Sequence, residues 1–408
     1  MDIIYLDNNA TTRPDARVAE CVCDALREGY GNPASAHSMG RRARRLLEDA
    51  REGIAALLGA KATGPRADRV VLTSGATEAN NLAIRGLAGS RRANDDGEVP
   101  GNVVDSAIEH PRVLEAADHL ARQGWEVRRA PVSHDGAVDC DQLQNLIDDR
   151  TRLVSVMLVN HETGVVQPVA QIADICKAAG VPIHTDAVQA VGKLPVDFCA
   201  LGVDALTISG HKFHGPPAIG ALIVRHGVKL APILFGGAQQ GGLRGGTENV
   251  ALAAGLHKAL ELCHDEAAAR AARMAELRDR LESLLRQAMP DIVINGASAP
   301  RAPHTSNVAF PGLDRQALVM SLDLADVACS TGSACASGSS ERSPVLMAMG
   351  CPADVVDGSL RFSLGSFTTA AEIAEAARRI IKAASDLRSA ESAREMPLPA
   401  RNSGGQTV

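Results

Sequence analysis

The sequence has no basic excess: Lys and Arg number 42 against 48 Asp and Glu, a formal net charge of -6. A nucleic-acid footprint needs a basic balance or a basic stripe, so that class of partner is excluded. The one basic run, Arg41, Arg42, Arg44 and Arg45, reads as a solvated helix face. Cys-x-x-Cys pairs are missing as well, although the 408 residues include 9 cysteines. Without that spacing, in a chain of this length, the cysteines read neither as a structural zinc site nor as a disulfide framework. Cys21 and Cys23 lie two apart on an expected helix and point to different faces. The start, Met1-Asp2-Ile3-Ile4-Tyr5, lacks the charged region and apolar stretch of a signal peptide. No apolar run approaches the length of a membrane span. The expected setting is the cytoplasm, with no metal and no membrane. Internal repeats and heptad runs are absent too.

What is present is a large apolar fraction, 45%, enough for one large domain and a smaller companion. Short apolar runs alternate with helical patterns. The candidate strands are Val70–Thr73, Asn102–Ala107, Glu126–Pro131, Leu153–Val159, Val181–Thr185, Ala205–Ser209 and Gly220–Val224. Several are almost continuously apolar, as in strands covered on both faces. Arg41–Leu58, Ala79–Leu87 and Val169–Ala179 read as helices between them. The alternation predicts an α/β fold with a mixed, mostly parallel sheet. After about residue 250 the texture changes to one long helix, Leu256–Ala288, a β-like stretch near Asp291–Phe310, a polar loop and a final helix, Ala370–Leu387. This reads as a smaller α+β domain. Gly89–Gly101 reads as a surface loop and Glu391–Val408 as a disordered tail.

Chemistry concentrates where strands end. Ser209-Gly210-His211-Lys212 follows a strand directly, with Gly215-Pro216-Pro217 behind it. A lysine so placed is no routine surface residue of a helix. It suits an amine that forms a Schiff base with pyridoxal 5'-phosphate (PLP), a cofactor that also needs a phosphate cradle and a partner for its pyridine nitrogen. Asp186 ends another strand and can pair with that nitrogen, and Gln189 can hydrogen-bond the ring oxygen. The competing role for Asp186 is a helix N-cap. Thr73–Asn80 joins a strand to a helix with small residues, so backbone and helix N-terminus can approach an anion, with Thr77 as side-chain donor. Its competing role is a capping box. Cys329–Ser340 is nearly all Gly, Ala and Ser. Such a segment packs little, and roughly ten extended residues span about 33 Å. Cys335 at its centre suits an exposed nucleophile on a swinging arm; the alternative is a loop cysteine with no role. Cys329 reads as buried, and the other cysteines as small hydrophobes.

Further stretches complete a pattern: Tyr5–Thr12, Gly31–His37, Glu109-His110-Pro111, Asn160–Gly164, Gly242–Asn249 and Arg361–Gly365. Together, and in order from residue 5 to about residue 385, they resemble the cysteine desulfurases of the NifS/IscS type. The resemblance implies a fold-type I PLP-dependent transferase, similar to aspartate aminotransferase, acting as a homodimer. It implies a large PLP-binding domain over 14–255, and a small domain of 1–13 and 256–390 carrying the catalytic loop at about 328–344. It places PLP on Lys212, with Asp186 at the pyridine nitrogen, Gln189 at the ring oxygen and His110 stacked on the ring. Ala76, Thr77, Ser209 and His211 hold the phosphate, and Thr247 reaches that of the neighbouring subunit. Asn160 and Arg361 clamp the carboxylate of the substrate, L-cysteine, and Asn8 lines the pocket. Lys212 moves the α-proton; Cys335 takes the sulfur as a persulfide, leaving alanine. The sulfur then passes to an iron–sulfur scaffold or another acceptor protein.

The Ser-x-Gly-Ser-Ala-Cys pattern is similar to the branch with the long loop, and His184–Lys193 leans toward the nitrogen-fixation member. Three residues depart from the family pattern: His161 in place of a second asparagine, Pro217-Ala218 in place of Lys-Gly, and Ser366 in place of a common arginine. Two other readings stay open, a selenocysteine lyase or other fold-type I PLP enzyme, and a non-catalytic scaffold with the same fold.

Overall fold

The apolar runs pair into one seven-stranded sheet. Its strands are β2 (Arg69–Thr73), β3 (Asn102–Ser106), β4 (Glu126–Ala130), β5 (Thr151–Ser155), β6 (Ile183–Asp186), β7 (Ala205–Ser209) and β8 (Gly220–Val224), in the order β2-β8-β7-β6-β5-β3-β4; β1 (Ile4–Tyr5) precedes them in the chain. The computed structural model describes residues 3–89, 100–332 and 341–395. β3 to β7 run parallel where they pair, and β8 is antiparallel to both β2 and β7. Every residue of β3, β7 and β8 is buried, which is why these strands read as apolar runs. β7 and β8 keep their expected bounds. β5 begins earlier than expected; Val156 and Leu158, beyond its end, still donate to His184 O at 3.1 Å and Asp186 O at 3.0 Å. β2 is an edge strand. The side chain of Gln240 covers it as a further strand would, accepting from Leu72 N at 2.7 Å and donating to Leu72 O at 2.8 Å.

Helices cover both faces. They are α1 (Ala16–Glu28), α2 (Ser38–Leu57), α3 (Ala76–Gly89), α4 (Pro111–Ala121), α5 (Cys140–Asn145), α6 (Val169–Ala179), α7 (Phe198–Leu201) and α8 (Val250–Asp265). One core lies among α2, α6 and α8, and another between the sheet and α3 and α4. Arg41, Arg42, Arg44 and Arg45 lie exposed on α2, as a solvated helix face should.

The long helix expected over Leu256–Ala288 is two helices, α8 and α9 (Ala267–Ala288). The break falls at Glu266, φ -105° and ψ 6°, whose carboxylate receives Arg17 at 2.8 Å and Arg270 at 2.7 Å. The physical reason is that the two halves serve different cores. α8 buries Leu256 and Leu260 with α2, whereas α9 buries Leu277, Leu281 and Leu285 in a separate cluster with Ile4, Phe310 and Ile380. That second cluster rests on β9 (Val293–Ile294), β10 (Thr305–Ala309) and β12 (Ser359–Ser363), an antiparallel sheet of order β12-β10-β9. β11 (Val327–Ala328) pairs in parallel with β1. α10 (Arg315–Leu324), α11 (Pro344–Ala348), α12 (Ala353–Asp357) and α13 (Ala370–Glu395) complete the chain. α13 runs past Leu387 into residues expected as tail, so the tail expectation fails as far as Glu395. Residues 396–408, most of the Gly89–Gly101 loop and Cys335 lie outside the described residues.

One departure from the family pattern has a backbone consequence. Ala218, between β7 and β8, is exposed and has φ +59°. A left-handed backbone costs an L-residue with a Cβ roughly 1–2 kcal/mol, a cost glycine escapes. Ala218→Gly is therefore expected to stabilise the protein by about 1 kcal/mol. A denaturant midpoint that fails to rise would refute this.

Candidate active site

The parallel strands β6 and β7 end side by side, and the residues that follow them carry the polar groups. Asp186 is the last residue of β6. β7 runs into a tight turn, Gly210–Lys212, where a Cβ on Gly210 would meet Pro216 O at 2.8 Å. That turn aims Lys212 inward. Its Nζ is buried and donates to Asn9 O and to Ala10 O, the latter at 2.7 Å. Burial, reinforced by the charges of Arg112, Arg361 and Lys193, pulls the Lys212 amine down to about 7. Lys193 donates to Lys212 O at 2.7 Å, and burial likewise lowers its amine to about 7.

Asp186 divides its carboxylate between two tasks. Oδ1 accepts from Val188 N at 3.0 Å, the capping role weighed from the sequence. Oδ2 accepts from Asn80 Nδ2 at 2.6 Å and lies 3.5 Å from Arg112 Nε. Gln189 donates to Asn9 O at 3.0 Å. Its Oε1, like Ser209 Oγ, is buried with no hydrogen-bond partner among the described residues. At the start of α3, Gly75 has φ +145° and open space where a Cβ would be. Glu78 Oε2 accepts from Ser74 N at 2.7 Å, as in a capping box, and Glu78 Oε1 receives Arg244 Nε at 2.7 Å. The capping role is therefore real. It occupies Ser74 and leaves Ala76 and Thr77 as the first N–H groups of the helix. His211 meets Thr11 Oγ1 at 3.1 Å, and burial with the nearby cations lowers its imidazole to about 4.

His110 caps α4, its Nδ1 accepting from Arg112 N at 3.1 Å. Its ring lies 4.8 Å from that of His161 at an angle of 54°. Burial holds both imidazoles well below their usual range, hence neutral. Arg361, on β12, is fully buried. Its Nη1 donates to His161 O at 3.0 Å and Gly332 O at 2.8 Å, and its Nη2 to Asp7 Oδ1 at 2.8 Å. Asn8 donates to Ser363 O at 2.9 Å beside it. Ser366 meets His214 Nε2 at 2.9 Å.

Asn160 is bonded within its own turn. Its Oδ1 accepts from Glu162 N, Thr163 N and Thr163 Oγ1 at 2.9, 2.9 and 3.1 Å, and its Nδ2 donates to Ile108 O at 3.1 Å and lies 3.6 Å from Met157 Sδ. The amide oxygen is engaged in holding its own turn. Thr247 is exposed on the 239–249 segment and, among the described residues, makes no hydrogen bond to the Lys212 cluster. Gly332, three residues before Cys335 in the sequence, is held by Arg361. Sequence reasoning missed Asp7, Asn9, Arg112, Glu162 and Lys193. Asp7, Asn9 and Glu162 lay inside stretches already singled out; a buried arginine on a helix has no sequence period to mark it.

The aminotransferase class-V family matches residues 4–375, and the chain belongs to it. Within that family it is similar to a cysteine desulfurase of Trichormus azollae, 43% identical over 377 residues, which cover 91% of this chain and 90% of that one. A solved NifS-like protein superposes with a TM-score of 0.85 at 35% identity, over 95% of this chain and all of the other. SspA, solved in complex with cysteine, gives 0.77 at 31%, over 90% of this chain and 99% of that one. The family and fold read from the motifs are borne out.

Proposed function

We propose that this chain is a PLP-dependent cysteine desulfurase that converts L-cysteine to alanine and a persulfide on Cys335. The observation that carries this is the Lys212 amine, buried at the end of β7 against Asn9 O and Ala10 O and lowered by that burial to about 7. The surroundings fit PLP. Ser209 Oγ and Gln189 Oε1 are buried without partners among the described residues, and the space at Gly75 opens onto the start of α3. Lys212 would hold the cofactor covalently, Asp186 would face its pyridine nitrogen, Gln189 its ring oxygen, and His110 its ring. Ala76, Thr77, Ser209 and His211 would take the phosphate, with Thr247 reaching across to the neighbouring subunit. Bound there, PLP supplies the electron sink that lets a proton leave the substrate's α-carbon.

The protein's own groups do the rest. Arg361 takes the substrate carboxylate, beside Asn8, while Asn160 keeps the 160–164 turn in place behind it. The Lys212 amine, near neutrality, accepts the α-proton and can return it. The Cys335 thiolate attacks the substrate sulfur: an S–S bond forms, the C–S bond breaks, and the electron pair left on the substrate carbon takes up a proton to give alanine. We further read the enzyme as a cytoplasmic homodimer that hands sulfur to an iron–sulfur scaffold or another acceptor protein, including supply for nitrogen fixation. The exposed Leu234 and Phe235, tied to the Thr247 segment through Gly245 N and Leu234 O at 3.1 Å, support an interface there. Among the described residues no helix is long and apolar enough to cross a membrane. We place the division between the large and small domains at Glu266, because α8 packs in the first core, rather than at 255.

The test is product analysis. The PLP-loaded protein given L-cysteine and a thiol reductant should release alanine and sulfide in equal amounts. Cys335→Ala should still bind PLP and cysteine yet release no sulfide. No alanine from the unaltered chain would defeat the reading, and sustained sulfide from the variant would move the sulfur to another cysteine.

A further inference from the structure

Two stretches of the chain come to one buried carboxyl, that of Glu162: Ser343 bonds it and Gly332 packs against it. The turn behind fixes it: Glu162 N donates to Asn160 Oδ1 at 2.9 Å, and Glu162 O accepts from Asn307 Nδ2 at 3.4 Å. Glu162 Oε2 accepts from Ser343 Oγ at 2.6 Å. The same oxygen lies 2.7 Å from where a Cβ on Gly332 would stand, so Gly332, at φ +108°, is the residue that permits the approach. Gly332 and Ser343 flank the segment that contains Cys335. Arg361 closes the arrangement, bonding Gly332 O and His161 O through a single Nη1. Glu162 Oε1 is buried, makes no hydrogen bond among the described residues and faces His161 Nε2 at 3.7 Å.

A buried carboxyl is costly for a fold, and an apolar side chain of similar volume would fill the space without that cost. Burial indeed pushes this carboxyl above its usual range, with Ser343, Arg361 and Arg315 pulling the other way. What the carboxyl adds is a directional acceptor that an apolar group lacks. We propose that Glu162 is a positioning residue for sulfur transfer: its carboxyl gathers the two chain ends between which Cys335 is carried and sets them beside Arg361. This rests on the desulfurase reading. Reaction rates fall steeply when a reacting group is misplaced by even an ångström, so losing the anchor should slow sulfur transfer while leaving cysteine binding intact.

In the PLP-loaded full chain, Glu162→Ala and Ser343→Ala should each slow single-turnover alanine formation by about tenfold or more. The cysteine concentration that half-saturates the cofactor's absorbance change should stay within about twofold, because the binding groups are untouched. Glu162→Gln keeps an acceptor for Ser343 and should recover most of the rate. Ser343 also caps α11, through Leu346 N at 3.1 Å. Ser343→Asp keeps a capping group but sets a second carboxyl against Glu162, and should be as slow as Ser343→Ala. In cofactor-free protein, amide exchange at 330–332 and 341–343 should accelerate in both alanine variants and not in Glu162→Gln. An unchanged alanine rate in Ser343→Ala, or binding lost in step with rate, overturns the assignment. Should Glu162→Ala fail to fold, Ser343→Ala decides by the same criteria. An unaltered chain that forms no alanine refutes the desulfurase reading instead.

Discussion

Alanine in place of Lys212 is expected to abolish turnover, by roughly 10⁴-fold or more, the scale on which removal of a covalent catalytic group is felt. The visible absorbance of covalently held PLP should vanish with it. The argument for so large an effect is positional. Lys212 Nζ is fixed by two carbonyls of the N-terminal arm, at the ends of the strands that also present Asp186 and Ser209. One other buried amine stands close, that of Lys193, but it is turned to the back of the site, onto Lys212 O. A covalent cofactor persisting in Lys212→Ala would transfer the assignment to Lys193. The amine also sets a pH signature. Its protonated fraction falls as pH rises through about 7 rather than 10.5. The attacking neutral amine therefore accumulates over that range, and covalent attachment of PLP to cofactor-free protein should speed up through pH 7 and level off above it. A rate still climbing between pH 9 and 10 would show that burial does not lower this amine.

Strand ends were the legible part of this site, and contacts across the chain were not. β7 is an apolar run closed by Gly210 and β8 one opened by Gly220, and signals of that kind are local, so their bounds and the placement of Lys212 just past β7 follow from composition. The partners of those groups come from far away. Lys212 is held by Asn9 and Ala10, Asp186 by Asn80 and Arg112, Arg361 by Asp7. No pattern within a window of residues encodes such pairings. The break at Glu266 was hidden for a related reason: helix propensity continues through it, and only the choice between two cores interrupts the axis. Asn160 adds a local case: its motif is visible in the sequence, and the turn that its amide oxygen holds together is visible only in the fold.

Arg361→Lys, which keeps the charge, is expected to lower kcat/KM for L-cysteine by about 10²- to 10³-fold, equivalent to one or two charge-assisted hydrogen bonds. The guanidinium already spends Nη1 on His161 O and Gly332 O and Nη2 on Asp7, while its Nε is buried without a partner among the described residues. A planar fork can hold these three acceptors and still present an edge to a carboxylate; an ammonium, three donors at one point, cannot. The lysine variant must therefore choose between Asp7, the anchor at Gly332 and the substrate. Arg361→Ala is the poorer experiment, because stripping the partner from a buried pair costs about 3–5 kcal/mol and risks the fold. With lysine the two losses separate by kinetics: a carboxylate clamp alone raises KM, whereas a slackened Gly332 lowers kcat as well. A rise in KM with kcat preserved would confine Arg361 to substrate binding. A rise in KM together with a fall in kcat would make it the joint between the substrate and the chain that brings Cys335, and kcat/KM within about threefold of the unaltered enzyme would remove it from the site altogether.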